Sequence, residues 1–323
     1  MKNRAWVAAL VMAALVSVPA FGQSLDIPVK GFGLSFGNSK NFTGLRFNFR
    51  DKDVERITGV NVTFWSPRDK EPVSVITGLS LGPVVGGGSL TGVQYGFLGV
   101  GAKTNLTGLN LGGLGLGAGG NVTGVNLGGL GVGAGGNLAG INIGGLGAGA
   151  GGNVAGLNIG GLGIGAGEDL IGITIGGLGA GAGGKMAGIT IAGIGAGAGG
   201  KMVGINIAGI GLGAGDEIVG WAAAGIAAGA PKIRGVATAG IVVGGKDLKG
   251  LFAAGGSVHV PLGGTLAGVA YSPFNYIRGA VSGVSIGLVN YAHTVKGFQL
   301  GLVNIVRDNP AWLKVLPVFN TSF

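Results

Sequence analysis

Residues 105–120 read NLTGLNLGGLGLGAGG, and the pattern returns at once as NVTGVNLGGLGVGAGG (121–136), NLAGINIGGLGAGAGG (137–152) and NVAGLNIGGLGIGAGE (153–168). Three further copies, DLIGITIGGLGAGAGG, KMAGITIAGIGAGAGG and KMVGINIAGIGLGAGD, carry the tiling to residue 216 without an insertion. A repeat of this fidelity takes precedence over every other feature in deciding the fold. In the copy 121–136, Val125, Leu127, Leu130, Val132 and Ala134 alternate with Asn126, Gly131 and Gly133, while Gly128-Gly129 shifts the phase by one residue. Period two on either side of a Gly pair predicts two short strands joined by a tight bend. Gly135-Gly136-Asn137 supplies the second bend, because Gly and Asn accept positive φ. The seven Gly of this copy rule out a helix, where each would cost about 1 kcal/mol relative to Ala.

The register continues more loosely on both sides. Upstream units begin at Phe42, Ile57, Ile76 and Leu90 (FTGLRFNF, ITGVNVTF, ITGLSLGP, LTGVQYGF). Downstream units begin at Ile218, Ile233, Leu248, Leu266, Val281 and Val295. That makes about seventeen Gly-rich units of 14–19 residues. A single unit cannot bury its own apolar face; stacking, with backbone N–H and C=O groups paired to the next unit, closes the gap. The expected fold class is therefore an all-β repeat protein. Its expected organisation is a signal peptide (1–22), degenerate repeats with a polar cap (23–104), regular 16-residue repeats (105–230), and degenerate repeats with a terminal strand (231–323).

Two architectures stack such units. In the favoured one, a parallel β-solenoid, each unit is one coil. Val122, Val125, Leu127, Leu130, Val132 and Ala134 are expected to point inward and Asn126 to lie on an outer face. Asn110, Asn126, Asn142 and Asn158, continued by Thr174, Thr190 and Asn206, would form a ladder of like side chains hydrogen-bonded from coil to coil. Glu168, Asp169, Lys185, Lys201, Asp216 and Glu217 all fall at unit junctions, where a corner would be wet. The alternative is a transmembrane β-barrel with one strand per unit, the apolar set facing lipid and Asn and Gly lining the lumen. The final Phe323, with Phe319 before it, resembles the terminal strand of outer-membrane barrels, although Thr321 stands where an apolar residue is usual. Against the barrel, odd and even units do not alternate in character, as strands running in opposite directions would.

Lys2 and Arg4 precede an apolar run, Ala5 to Val18, broken by Pro19 and followed by Ala20-Phe21-Gly22 before Gln23, which reads as a secretory signal with its cleavage site. The chain has no Cys, which excludes disulfides, thiolate metal sites and a lipid anchor on a processed cysteine. With 78 Gly among 323 residues and 10% charged, the composition opposes both disorder and, given ten prolines, collagen. The formal charge of +9 falls to +7 when Lys2 and Arg4 leave, and the excess is scattered at the two ends with no basic stripe, so nucleic acid is not an expected partner.

Toward the C-terminus the units read GVSIGLVNYAHTVKGFQLGLVN (283–304). This resembles the bacterial surface-repeat proteins, in which G-h-x-h-G-L-h-N recurs with h apolar. Gly283, Val284, Ile286, Gly287, Leu288 and Asn290 match, as do Gly297, Phe298, Leu300, Gly301, Leu302 and Asn304, whereas the block 105–216 departs from the pattern with GGLG. The resemblance implies a cell-envelope location and no known catalysis.

Candidate chemistry is sparse. Gly115–Gly120 satisfies G-x-G-x-x-G, but no helix is expected after it to cradle a phosphate. His259 and His293 stand apart from any Cys or carboxylate cluster. The pairs Glu168-Asp169 and Asp216-Glu217 are three units apart, about 14 Å in a solenoid, too far for one acid–base site. Trp65, Trp221, Trp312, Tyr271, Tyr276 and Tyr291 are expected to cap and pack the less regular ends, or to form an aromatic girdle or a carbohydrate platform. The charge-rich stretch 46–71 is expected to be a solvated cap over the open end. No residue is assigned a catalytic, cofactor-binding or metal-binding role, and no cofactor is expected. The expected function is that of a non-enzymatic, exported envelope protein, structural, adhesive or surface-interacting, with a barrel pore as the alternative. Its expected partner is an envelope or surface component of protein, polysaccharide or lipid nature; membrane association is left open, and the location is the outer membrane or cell surface, or the periplasm.

Overall fold

A computed structural model describes residues 24–29, 32–68 and 73–322. The signal segment, Asp69–Glu71 and Phe323 lie outside the described residues. Each central unit forms one coil. Val154–Gly160 is a long strand, Gly161-Leu162 turns the chain, Gly163–Ala166 is a short strand, and a second turn leads into the next long strand, Leu170–Gly176. Long pairs with long and short with short, parallel and without slip: Leu157 faces Ile173, Asn158 faces Thr174, and Ile164 faces Ala180. The molecule is a β-solenoid. Parallel pairing replaces the barrel alternative, since barrel strands alternate in direction.

The chain divides into two compact units, one ending at Gly136 and the other beginning at Asn137. The first opens with Ser24–Val29 antiparallel to Phe32–Gly37, after which the parallel stack starts at Gly33↔Gly44. The second runs from Leu138–Gly144 to Thr294–Val306 and is closed by Val315–Asn320, antiparallel to that last strand. Both terminal strands thus cover an edge that would otherwise offer unpaired backbone groups.

One glycine recurs in every coil for a steric reason. At Gly172, Gly188, Gly204 and Gly220 φ lies between +109° and +117°, and a Cβ there would run into the carbonyl oxygen of the equivalent glycine one coil earlier. This glycine tucks the long strand against its neighbour and sets which side chains turn inward. The residue two before it (Val154, Leu170, Met186, Met202, Ile218) is fully buried, and so is the residue two after it (Asn142, Asn158, Thr174, Thr190, Asn206). The short strand adds an inward residue such as Ile164, Ala180 or Leu212, followed in several coils by a buried alanine such as Ala166 or Ala182.

The expected inside–outside assignment is therefore corrected. Val122, Val132 and Ala134 are buried as expected, but Asn126 is 0% exposed and Leu130 is 52% exposed. Val125 and Leu127 also lie on the outward side of their strand, half-buried beside their equivalents Leu109 and Leu111 in the preceding coil. The Asn ladder exists, inside rather than outside: Asn110 Nδ2 donates to Asn126 Oδ1 at 2.7 Å in the first unit, and Asn142 Nδ2 to Asn158 Oδ1 at 2.8 Å in the second. The physical reason is width. A short strand of four residues facing a long strand of seven leaves room for about three inward side chains larger than alanine per coil. An amide bonded to its copy one strand spacing away can be buried at little net cost, each such bond contributing about 1 kcal/mol.

The N-terminal charge cluster is corrected in the same way. Arg50, Lys52, Asp53, Glu55 and Arg56 are exposed, but Arg46 is fully buried in the inward column. Its Nη1 donates to Asp51 Oδ1 and to Asn61 Oδ1, both at 2.6 Å. The interior of the first unit is thus polar along Ser35, Arg46, Asn61, Ser80, Gln94 and Asn110.

Candidate interaction surface

With the amides inside, the apolar side chains of the long strands form the exterior. In the second unit, the residue after the positive-φ glycine runs Leu157, Ile173, Ile189, Ile205, Trp221, Val236, Leu251 from coil to coil. Two residues further on, a parallel row runs Ile159, Ile175, Ile191, Ile207, Ala223, Thr238, Ala253. At the bend after the long strand, Leu162, Leu178, Ile194, Ile210, Ile226 and Ile241 make an exposed ridge, held by backbone bonds of 2.7–2.9 Å between consecutive members. The first unit carries the same rows, with Val93, Tyr95, Leu98, Leu109, Leu114 and Leu130 exposed.

The opposite border of this face is charged. Asp169, Lys185, Lys201, Glu217, Lys232 and Asp247 occupy equivalent positions at the start of successive long strands. Asn and Asp at this junction bond the next coil: Asn137 Oδ1 accepts from the Asn153 N–H at 2.8 Å, Asn153 Oδ1 from Asp169 N–H at 3.0 Å, and Asp169 Oδ1 from Lys185 N–H at 2.7 Å. The corner is wet at Glu168, Lys185, Lys201 and Asp216, as expected, but not at Glu217. Glu217 is buried between Lys201 Nζ at 3.4 Å and Arg234 Nε at 2.9 Å, an ion triplet spanning three coils.

The remaining features singled out by sequence are dispersed. Gly115–Ala118 of the G-x-G-x-x-G match is a short strand in the stack. His259, Tyr276, Tyr291 and His293 form a chain of rings with centroids 5.6, 5.2 and 6.0 Å apart along the outer side of the C-terminal short strands. Trp65, Trp312 and Tyr271 are exposed, and Trp221 sits mid-stack in the outward apolar row rather than at an end. Among the described residues no group of three or more His, Cys, Asp or Glu is placed to hold a metal ion, and no helix is long and apolar enough to cross a membrane.

The apolar exterior is the feature that sequence reading missed, because alternation separates the two faces of a strand without saying which is inward. The signal was in the repeat itself. The outward row tolerates Leu, Ile, Val and Trp, while the row between stays Asn or Thr from 110 to 206. No protein-family model, curated protein or solved structure matches the chain.

Proposed function

We propose that this protein is an exported, non-enzymatic component of the bacterial cell envelope that works by presenting its repeat surface to a structural or adhesive partner. The observation that carries this reading is the outward apolar face, on which exposed Leu162, Leu178, Ile194, Ile210 and Ile226 follow one another from coil to coil; extended exposed apolar surface marks interaction sites. The N-terminal signal pattern and the G-h-x-h-G-L-h-N units at 283–304 support an envelope location. The test is fractionation of cells producing the chain with a C-terminal epitope, followed by protease treatment of intact cells. The expected result is recovery with the envelope and loss of the epitope to external protease; recovery in the cytoplasm with an uncleaved N-terminus would overturn the proposal.

A further inference from the structure

The outward face of the second unit is self-complementary about its coil at Lys201–Ala208, and we infer that it docks against a second copy of this chain, face to face and with the two stacks antiparallel. A two-fold axis lying along that strand maps each row of side chains onto itself and reverses the order of coils. Three independent properties of the face then match.

The first is charge. Asp169 comes opposite Lys232 of the other copy, and Lys185 comes opposite Glu217. On the axis Lys201 meets its own copy, but each is already paired with Glu217 of its own chain at 3.4 Å. Opposed charges along a rim favour this register and penalise its neighbours. The second is shape. In the row two residues beyond the first apolar one, Ile191 comes opposite Ala223, Ile175 opposite Thr238, and Ile159 opposite Ala253, so that in this row each large side chain meets a small one, while in the first row Ile189 meets Trp221 and Leu157 meets Leu251. Ile207 meets itself at the centre. The third is area. Seven coils at about 4.8 Å and a face about seven residues wide at about 3.3 Å per residue cover on the order of 700 Å². That is close to the roughly 800 Å² per partner of a standard stable interface.

A lipid surface could use the apolar rows alone, but it offers nothing to the alternating acidic and basic rim or to the large-to-small match. This inference names the partner of the face in the proposed function. Cytoplasmic recovery of the chain would strike that proposal alone, and a monomeric chain would strike this one alone.

Sedimentation velocity of the natural chain, purified from cells without detergent, tests it. At about 10 µM the wild type is expected to sediment as a dimer. Ile205→Arg, on the axis and 36% exposed, is expected to weaken association at least about tenfold while melting near the wild-type temperature. Asp169→Lys and Lys232→Glu should each weaken it, and the two together should restore it, since the reversed pairs then face each other. A wild type that stays monomeric, or a double reversal no tighter than either single change, would overturn the inference. So would flotation of the wild type with phosphatidylcholine vesicles in place of dimerisation.

Discussion

Within the second unit, the coils from Asn142 to Asn206 and those from Asn275 to Asn304 both bury a polar column, of Asn and Thr in the first and of Asn in the second, but on opposite walls. In the first group the amides hang from the long strands, opposite apolar short-strand residues such as Ile164 and Leu212. In the second they hang from the short strands: Asn275 Nδ2 donates to Asn290 Oδ1 at 2.7 Å and Asn290 Nδ2 to Asn304 Oδ1 at 2.8 Å. Between them lies a stretch whose inward residues are apolar on both walls, with Ala222, Ala237, Phe252 and Ala270 facing Ala228, Val243 and Val258. The difference teaches what each ladder is for. The C-terminal amides also hold the bend, for Asn275 donates to Ile286 O at 2.9 Å, Asn290 to Leu300 O at 2.8 Å and Asn304 to Gly301 O at 2.9 Å. The nearest backbone acceptor of Asn158 is Gly156 O at 3.4 Å, a marginal bond. This also accounts for the G-L-h-N spacing: a Cβ on Gly301 would press on the Asn290 amide at 2.6 Å, so that glycine and the Asn of the preceding coil belong together.

Charging the central ladder should break the comparison most severely. Asn158→Asp places a carboxylate in a fully buried column and is expected to cost about 3–5 kcal/mol, read by urea denaturation followed by circular dichroism. Removing a corner-holding amide comes next. Asn290→Ala should cost about 2–3 kcal/mol, because it removes both ladder bonds and one of the two donors to the Leu300 carbonyl, and Asn158→Ala about half that. Equal costs for the two alanine variants would mean that the bend bonds contribute nothing. Extending the ladder into the apolar stretch with Ala237→Asn should cost about 1–2 kcal/mol, since Ala222 and Phe252 offer no partner on either side. The smallest effect is expected at the ridge. Leu162→Asp, at a position 51% exposed, should shift stability by less than about 1 kcal/mol. Comparable losses for Asn158→Asp and Leu162→Asp would show that the amides are not inside.

Most of the local structure was legible in the sequence. The strands Val122–Gly128 and Gly131–Ala134 fall on either side of the Gly pair that shifts the alternation, and the parallel stack follows from units that do not alternate in character. The ladder was legible as a ladder, from one residue type recurring at one spacing. Its placement was not. Burial usually sorts residues by polarity, and here a narrow interior and coil-to-coil pairing of identical amides make Asn an inside residue and leave Leu130 outside. The buried Arg46 was hidden for a related reason: its partner Asp51 stands in the loop after its own strand, and only the fold brings Asn61 of the next coil to the same guanidinium. As for the apolar face, its composition was plain, and its exposure could be read only once the positive-φ glycine had fixed the strand's orientation.

The large inward ring of Phe252 stands in a column where its neighbours are Ala237 and Ala270. Coils such as 169–176 and 185–192 are close to interchangeable, and a chain zipping up through them could slip by one whole repeat at little penalty. Phe252 cannot. Its void is formed by two alanines, so a frame shifted by one coil would leave that void empty and drive the ring into an alanine-sized space elsewhere. In a structure assembled from near-copies, an irregular inward residue of this kind would act as a detent, penalising any frame shifted by one coil.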